Sequence, residues 1–199
     1  MKQNLYGIMI KYPEPGRVKT RLAKAVGHEK AAHIYRKVAE LMMENTSPIN
    51  CAYDRIVFYD PTDRQKDFAE WLSGEQFIPQ QGDDVGERMD NAIRVLLAMG
   101  AEKAVLTGAD IPDLSDKIIE ASFRELGHAD IVIGPAKDGG YYLIGMKAPH
   151  SEIFQDIPWS TGRVFKETMR IIEKLQLSCT SITTLSDLDT EDDYKRLFL

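Results

Sequence analysis

Lys11, Arg17, Lys19 and Arg21 crowd one short segment, Lys11-Tyr-Pro-Glu-Pro-Gly-Arg-Val-Lys-Thr-Arg-Leu22, directly after an apolar run, Leu5–Ile10. Pro13, Pro15 and Gly16 make the segment a loop, and a helix is expected to begin at about Thr20. A strand, a loop of concentrated positive charge and a helix N-terminus together suit a polyphosphate. The charge is local, because the chain as a whole carries 31 Asp+Glu against 25 Lys+Arg. A basic cluster in an acidic protein points to an anionic ligand held by Lys11, Pro13, Gly16, Arg17, Lys19, Thr20 and Arg21. A solvated basic turn is the plain alternative. Two familiar phosphate loops do not fit. Val18 precedes the lysine and Pro13 stands where a Walker A loop needs its first glycine, and a single glycine excludes the dinucleotide fingerprint.

Val105-Leu-Thr-Gly-Ala-Asp-Ile-Pro-Asp-Leu114 is a second constellation. An apolar strand stops at Gly108, Asp110 emerges, and Pro112 keeps the chain from continuing as strand or helix. A carboxylate fixed at a strand end suits Mg²⁺ (or Mn²⁺), which takes one or two protein carboxylates together with substrate phosphates. Capping of the next turn is the competing role for Asp110, and Asp113 fits that role. In Gly134-Pro-Ala-Lys-Asp-Gly-Gly-Tyr-Tyr-Leu-Ile-Gly145, the pair Gly139-Gly140 lets backbone approach a ligand or simply makes a hairpin turn, and Asp138 adds a carboxylate. Gln80–Met89 opens a helix in which Gly82 and Arg88 are candidates for the nucleotide side. Trp159, Ser160, Thr161 and Arg163 precede another helix and are candidates for an acceptor pocket, with Trp159 as core anchor and Thr161 as helix cap the competing reading. Thr190 with Asp193 has cap spacing, while Asp187 or Asp189 is a candidate second metal ligand.

Strand-length apolar runs at Leu5–Ile10, Arg55–Tyr59, Lys103–Thr107 and Asp130–Gly134, with later ones at Tyr141–Met146 and Ser178–Leu185, must position these groups. Between them lie helical patterns at about Glu29–Glu44, after Asp84, and around Ile118–Leu126. The alternation predicts one three-layer α/β/α domain over residues 1–199 with a mostly parallel sheet. Ligands of such sheets sit outside the carboxyl ends of the strands, and each polar oddity follows a predicted strand.

The composition narrows the partners. With 43% hydrophobic and 28% charged residues the chain is that of an ordinary soluble domain. A net charge of −6 argues against nucleic acid and anionic lipid as partners. No apolar run approaches the roughly 18 residues of a membrane span, and no signal peptide is visible. Cys51 and Cys179 are isolated, which excludes a disulfide framework and suits a reducing cytoplasm. His28, His33, His128 and His150 lack ligand spacing and read as surface or helix residues.

Taken together, Lys11–Leu22, Gly108-Ala-Asp-Ile-Pro112, Gly134–Gly145, Trp159-Ser-Thr161 and Asp187-Leu-Asp-Thr190 resemble, in order and over nearly the whole chain, a bacterial glycosyltransferase-like family called radical-SAM/selenodomain-associated transferase, type 1. The resemblance implies the GT-A, nucleotide-diphospho-sugar transferase fold. That superfamily holds glycosyltransferases and nucleotidyltransferases, and Thr20-Arg21 matches the Thr-Arg step of the latter, with prolines replacing most glycines of their first loop. The resemblance also implies that Asp110 is a metal ligand.

Three functions follow as expectations. In the first, a phosphorylated small molecule attacks the α-phosphate of a nucleoside triphosphate, with Lys19, Arg21 and Asp110 as the catalytic groups and Mg²⁺ (or Mn²⁺) as cofactor. In the second, a sugar moves from a nucleotide sugar, with Asp138, Gly139 and Gly140 on the sugar side. The third is a nucleotide-binding module without turnover. In all three the basic loop holds phosphates. Lys19→Ala or Arg21→Ala should therefore weaken nucleotide binding by about 1.5–3 kcal/mol, the range of a charge-assisted hydrogen bond. Calorimetry showing unchanged affinity in both variants would remove the loop from the site.

Overall fold

The computed structural model describes residues 4–188 and 193–195. Its strands are β1 (Asn4–Lys11), β2 (Asp54–Asp60), β3 (Gln76–Pro79), β4 (Lys103–Thr107), β5 (Ile131–Pro135), β6 (Tyr141–Met146) and β7 (Cys179–Ser181). They form one sheet in the order β3-β2-β1-β4-β6-β5-β7. The pairs β1–β2, β2–β3, β1–β4 and β5–β7 are parallel, whereas β6 runs antiparallel to both β4 and β5. The helices are α1 (Thr20–Val26), α2 (His28–Asn45), α3 (Gln65–Trp71), α4 (Val85–Ala98), α5 (Asp116–Glu125) and α6 (Val164–Lys174). The fold is thus the expected mixed α/β sheet flanked by helices on both faces.

Because helices cover both faces, the central strands are apolar throughout rather than alternating. Tyr6, Ile8 and Ile10 of β1 enter one buried cluster with Leu22, Ile34, Val38, Met42 and Phe123, under α1, α2 and α5. Leu5 enters the other, with Ile93, Leu96 and Ile172 under α4 and α6. Gly7 lies between them in sequence, and a Cβ there would meet Leu106 Cδ1 at 2.8 Å and Phe58 Cε2 at 2.9 Å. The missing side chain lets the neighbouring strands' residues close over β1. α4 starts where the sequence suggests. The Asp84 carboxylate accepts the Glu87 N–H at 2.9 Å, and the Glu87 carboxylate accepts the Asp83 N–H at 2.8 Å, a reciprocal cap.

Two elements escape the sequence pattern. β3 is four residues long, polar at its start and ended by Pro79, and α3 is seven residues long. Both are too short to show a period. The expected strand over Ser178–Leu185 is shorter than anticipated: pairing ends at Ser181 and resumes only as a bridge between Ala136 and Leu185. Its Ser/Thr-rich residues lie at the sheet edge, half-buried or exposed, and have little apolar surface to hold them down.

Arg55 of β2 carries the sharpest structural charge. Its side chain is 4% exposed and pairs with Glu75 at 2.5 Å, while Nη1 donates to Met43 O at 2.6 Å and to Thr46 Oγ1 at 3.0 Å. Removing one partner strands a buried guanidinium, so Glu75→Ala should destabilise the protein by about 3–5 kcal/mol in thermal or denaturant melts. A loss under about 1 kcal/mol, the value for an exposed pair, would show that water reaches Arg55 instead.

Candidate active site

The chain leaves β1 toward β2 and β3, then returns through α4 to place β4 on the other side of β1. Connections from β1 and β4 therefore diverge, and a crevice opens at their carboxyl ends, the usual ligand position in open α/β sheets. A cleft of ≈ 960 Å³ lies there. The loop after β1 forms one wall, the segment Gly108–Asp110 after β4 part of the floor, and the start of α4 with residues 159–162 the opposite wall.

The basic loop is pinned at both ends. Tyr12 stacks edge-on against Phe68 at 5.5 Å, and its N–H donates to Asp60 O at 2.7 Å. Val18 is buried with Ala32 and Tyr35 of α2. Between these anchors, Arg17 N–H to Glu14 O at 3.0 Å closes a turn, and Gly16 takes a positive φ of 83°. Lys19 then adopts φ 47°, ψ 45°, a left-handed conformation unusual for a residue with a side chain. The strain, about 1–3 kcal/mol, coincides with a side chain only 5% exposed whose Nζ lies 2.9 Å from Asp110 Oδ2. One ion pair therefore ties the loop after β1 to the end of β4.

Other expected groups gather around that pair. Lys11, Arg17, Thr20 and Arg21 line the same cleft, and the three cations among them are exposed. α1 is only seven residues long, so the positive potential comes mainly from side chains rather than the helix dipole. Arg88 lines the cleft from α4; its Nη1 is 3.3 Å from Asp60 Oδ1 and its Nε donates to Gly82 O at 3.0 Å. Gly82 does not line the cleft but has no room for a side chain, since a Cβ would sit 2.8 Å from Arg88 N.

Across the cleft, Asp138 and Gly140 meet Trp159, Ser160 and Thr161. Residues 136–140 are a hairpin turn as well as a cleft wall. Asp138 Oδ1 accepts the Gly140 N–H at 2.8 Å, and Gly139 O accepts the Phe165 N–H at 2.9 Å. Gly139 stands behind the wall against Gly162, whose carbonyl a Cβ would overlap. Trp159 both lines the cleft and packs into the wall, edge-on against Tyr141 at 6.3 Å and into the space left by Gly86. Thr161 Oγ1 donates to Pro158 O at 2.7 Å, holding the loop in place.

Pro13, Gly16, Arg163 and Asp187 stand outside the cleft lining. Pro13 and Gly16 shape the loop, and Arg163 is an exposed residue at the start of α6. Asp187 adjoins Leu188, whose N–H donates to Asp110 O at 3.1 Å, so the chain after β7 returns to Asp110. Asp189 and Thr190 lie outside the described residues. Among the described residues no group of three or more His, Cys, Asp or Glu is arranged to hold a metal.

Sequence reasoning missed two buried polar residues on the cleft, Tyr35 and Gln80. They grip the same peptide of β1: Tyr35 Oη accepts the Lys11 N–H at 2.9 Å, and Gln80 Nε2 donates to Ile10 O at 3.4 Å. Burial pushes the Tyr35 pKa up, so the hydroxyl remains protonated near neutral pH. Tyr35 reads as one more apolar-face position in a helix, and only its contact with Lys11 reveals the polar end. Among the described residues no helix is long and apolar enough to cross a membrane.

Residues 48–161 match the model of a family described as "Uncharacterized protein conserved in bacteria (DUF2064)". No curated protein matches the chain. A crystal structure from Desulfovibrio desulfuricans G20, provisionally described as a nucleotide-diphospho-sugar transferase, superposes with a TM-score of 0.93 at 35% identity, over 100% of this chain and 87% of that one. Rv0371c of Mycobacterium tuberculosis H37Rv, solved as a manganese complex, gives a TM-score of 0.55 at 15% identity, over 99% and 98% of the two chains. A CMP:2-keto-3-deoxy-manno-octonic acid synthetase complexed with CTP gives 0.53 at 11% identity, over 98% and 96%. The last two likenesses establish the shared fold.

The Lys19–Asp110 contact lends itself to a double-mutant cycle of Lys19→Met and Asp110→Asn. Asp110 is 35% exposed, so screening limits the pair. A coupling of about 1–2 kcal/mol in chemical denaturation, between the exposed and buried ranges, is expected. A coupling near zero would mean that the loop holds Lys19 inward without Asp110.

Proposed function

We propose that this chain, which belongs to the bacterial family DUF2064, is a transferase that moves a nucleotide from a nucleoside triphosphate to a small phosphorylated acceptor. The observation that carries this reading is the Lys19–Asp110 pair at the diverging ends of β1 and β4, with Lys11, Arg17 and Arg21 on the same cleft. A triphosphate offers more negative charge than a diphosphate and suits so many cations. The manganese of Rv0371c and the CTP of the synthetase, bound on the same fold, are consistent with a nucleotide and a divalent metal here.

The residues present fit such a metal. Lys19 engages Oδ2 of a carboxylate that is 35% exposed, and among the described residues no donor meets Oδ1. A hard cation of this kind needs few protein ligands, because substrate phosphates and water complete its shell. Asp110 would hold it, with Asp187 or Asp189 as the further carboxylate. When bound, the cation supplies neutralisation of charge on the phosphoryl oxygens.

The chain's own groups do the rest by position and charge. Lys19 and Arg21, assisted by Lys11 and Arg17, bind the β- and γ-phosphates. An acceptor oxygen attacks the α-phosphorus, the bond to the bridging oxygen breaks, and pyrophosphate leaves with its charge balanced by these cations. Lys19 can exchange Asp110 for a phosphate oxygen without losing a charged partner. Asp138, Gly140, Ser160 and Thr161 face the acceptor, and Trp159 closes that side with an apolar wall.

Transfer of a sugar from a nucleotide sugar is the second reading. It is favoured by the description of the Desulfovibrio relative and by the hairpin carboxylate Asp138, placed to meet a sugar hydroxyl. The products separate the two. Incubation with each nucleoside triphosphate, Mg²⁺ or Mn²⁺ and a panel of small phosphorylated acceptors should release pyrophosphate. The rate should fall about 10²–10³-fold in Asp110→Asn, the scale for losing one electrostatic contact to a transition state. Nucleoside diphosphate from a nucleotide sugar, with no pyrophosphate from any triphosphate, would establish the sugar reading in its place.

A further inference from the structure

Gln80 follows β3, lines the cleft and is 7% exposed. Its Nε2 donates to Phe58 O at 2.9 Å and to Ile10 O at 3.4 Å. Both amide protons thus face carbonyls at the ends of β2 and β1. Turning the amide over would set oxygen against oxygen, so the orientation is fixed by its neighbours. Oε1 is the group left over. Among the described residues no donor meets it, and Gln80 lines the cleft.

The place of this acceptor along the sheet is informative. The strand order is β3-β2-β1-β4. The phosphate-holding cations follow β1, and Asp110 follows β4. Gln80 enters from β3 and reaches across the ends of β2 and β1. A nucleotide with its polyanion at β1 and β4 would extend its neutral end toward Gln80, because the wall of Asp138, Ser160 and Thr161 is assigned to the acceptor. The surroundings suit a flat, neutral ring. Met9 and Met89 line the cleft and are partly buried, and thioethers pack well on aromatic rings. Arg88, the cation on this side, is already engaged by Asp60 and Gly82 O.

We propose that Gln80 reads the nucleobase, its fixed Oε1 accepting a hydrogen bond from an exocyclic amino group of the base. A carbonyl at that position would face Oε1 without a proton between them, so the amino form of a base is selected over its keto counterpart. Discrimination of this kind is strong because a site built around one polar group leaves that group unpaired when the partner is missing. The inference rests on the nucleotide-binding reading of the cleft.

The test uses the full chain with Mg²⁺ and calorimetric titration of inorganic tripolyphosphate and of three nucleotide pairs: CTP with UTP, ATP with ITP, and GTP with ITP. At least one pair should split about ten-fold in favour of the amino-bearing member, the equivalent of one hydrogen bond. Gln80→Leu should reduce that split to about two-fold or less, with tripolyphosphate affinity in the same variant as the internal reference, because loss of the clamp on Ile10 O acts on both members of a pair alike. Gln80→Met, nearer in length and shape, serves if a melt shows that the leucine variant is not folded. Equal affinities within every pair, a keto preference, or a split that survives in a folded variant would each overturn the role of Gln80. Those outcomes leave nucleotide binding intact. Failure of tripolyphosphate and of every nucleotide to bind would instead remove the nucleotide reading together with the inference built on it.

Discussion

β1 sends its connections one way along the sheet and β4 takes the chain back the other way, so no crossover covers the gap between their carboxyl ends. Backbone groups there are spent on the ladder, which leaves only side chains and loop amides to face the crevice. Everything with chemical potential follows from that geometry. The basic loop leaves from one lip and Asp110 from the other, and Lys19 joins them at 2.9 Å. An ammonium that is 5% exposed needs a partner, and a carboxylate at a strand end needs a reason to stay fixed. Each supplies the other.

The precision of this contact depends on residues packed around it. Val18 is held under α2 by Ala32 and Tyr35, which fixes where the following lysine starts. The left-handed backbone of Lys19 then turns its side chain inward, at the end of the loop rather than outward into water. The last peptide of β1 is clamped by Tyr35 on its N–H and Gln80 on its carbonyl, so the strand end cannot tilt when the loop is pulled by charge. Arg55, far below the cleft, secures β2 to the end of α2 through Met43 O and Thr46.

The opposite wall is built differently. There the hairpin between β5 and β6 and the loop before α6 lean on each other through two glycines, Gly139 and Gly162, packed without side chains between them. Trp159 fills the hollow left by Gly86 at the start of α4. A wall assembled by close backbone contact is rigid but narrow in its tolerance, since almost any Cβ would part its two halves. One wall is therefore basic and anchored by apolar pins, while the other carries Asp83, Asp84 and Asp138 and is anchored by fit.

Much of this was legible in the sequence. The apolar runs of β1, β2, β4, β5 and β6 and the helical periods of α2, α4 and α5 are long enough for burial to mark them in the sequence. The motifs after β1 and β4 announce themselves by residue type, because Pro, Gly and clustered charge cannot be accounted for by packing alone. Short elements such as β3 and α3 hold their place by tertiary contact and leave no periodic trace. The partners of Lys19, Tyr35 and Gln80 are also invisible in one dimension, since they lie 91, 24 and 70 residues away in the chain. Which of the expected residues meet, with Asp138 and Thr161 inside the cleft and Arg163 outside it, was decided only when the sheet brought its strand ends together. A side chain's type sets what it can do, but distance and desolvation, which exist only in the folded chain, set what it does.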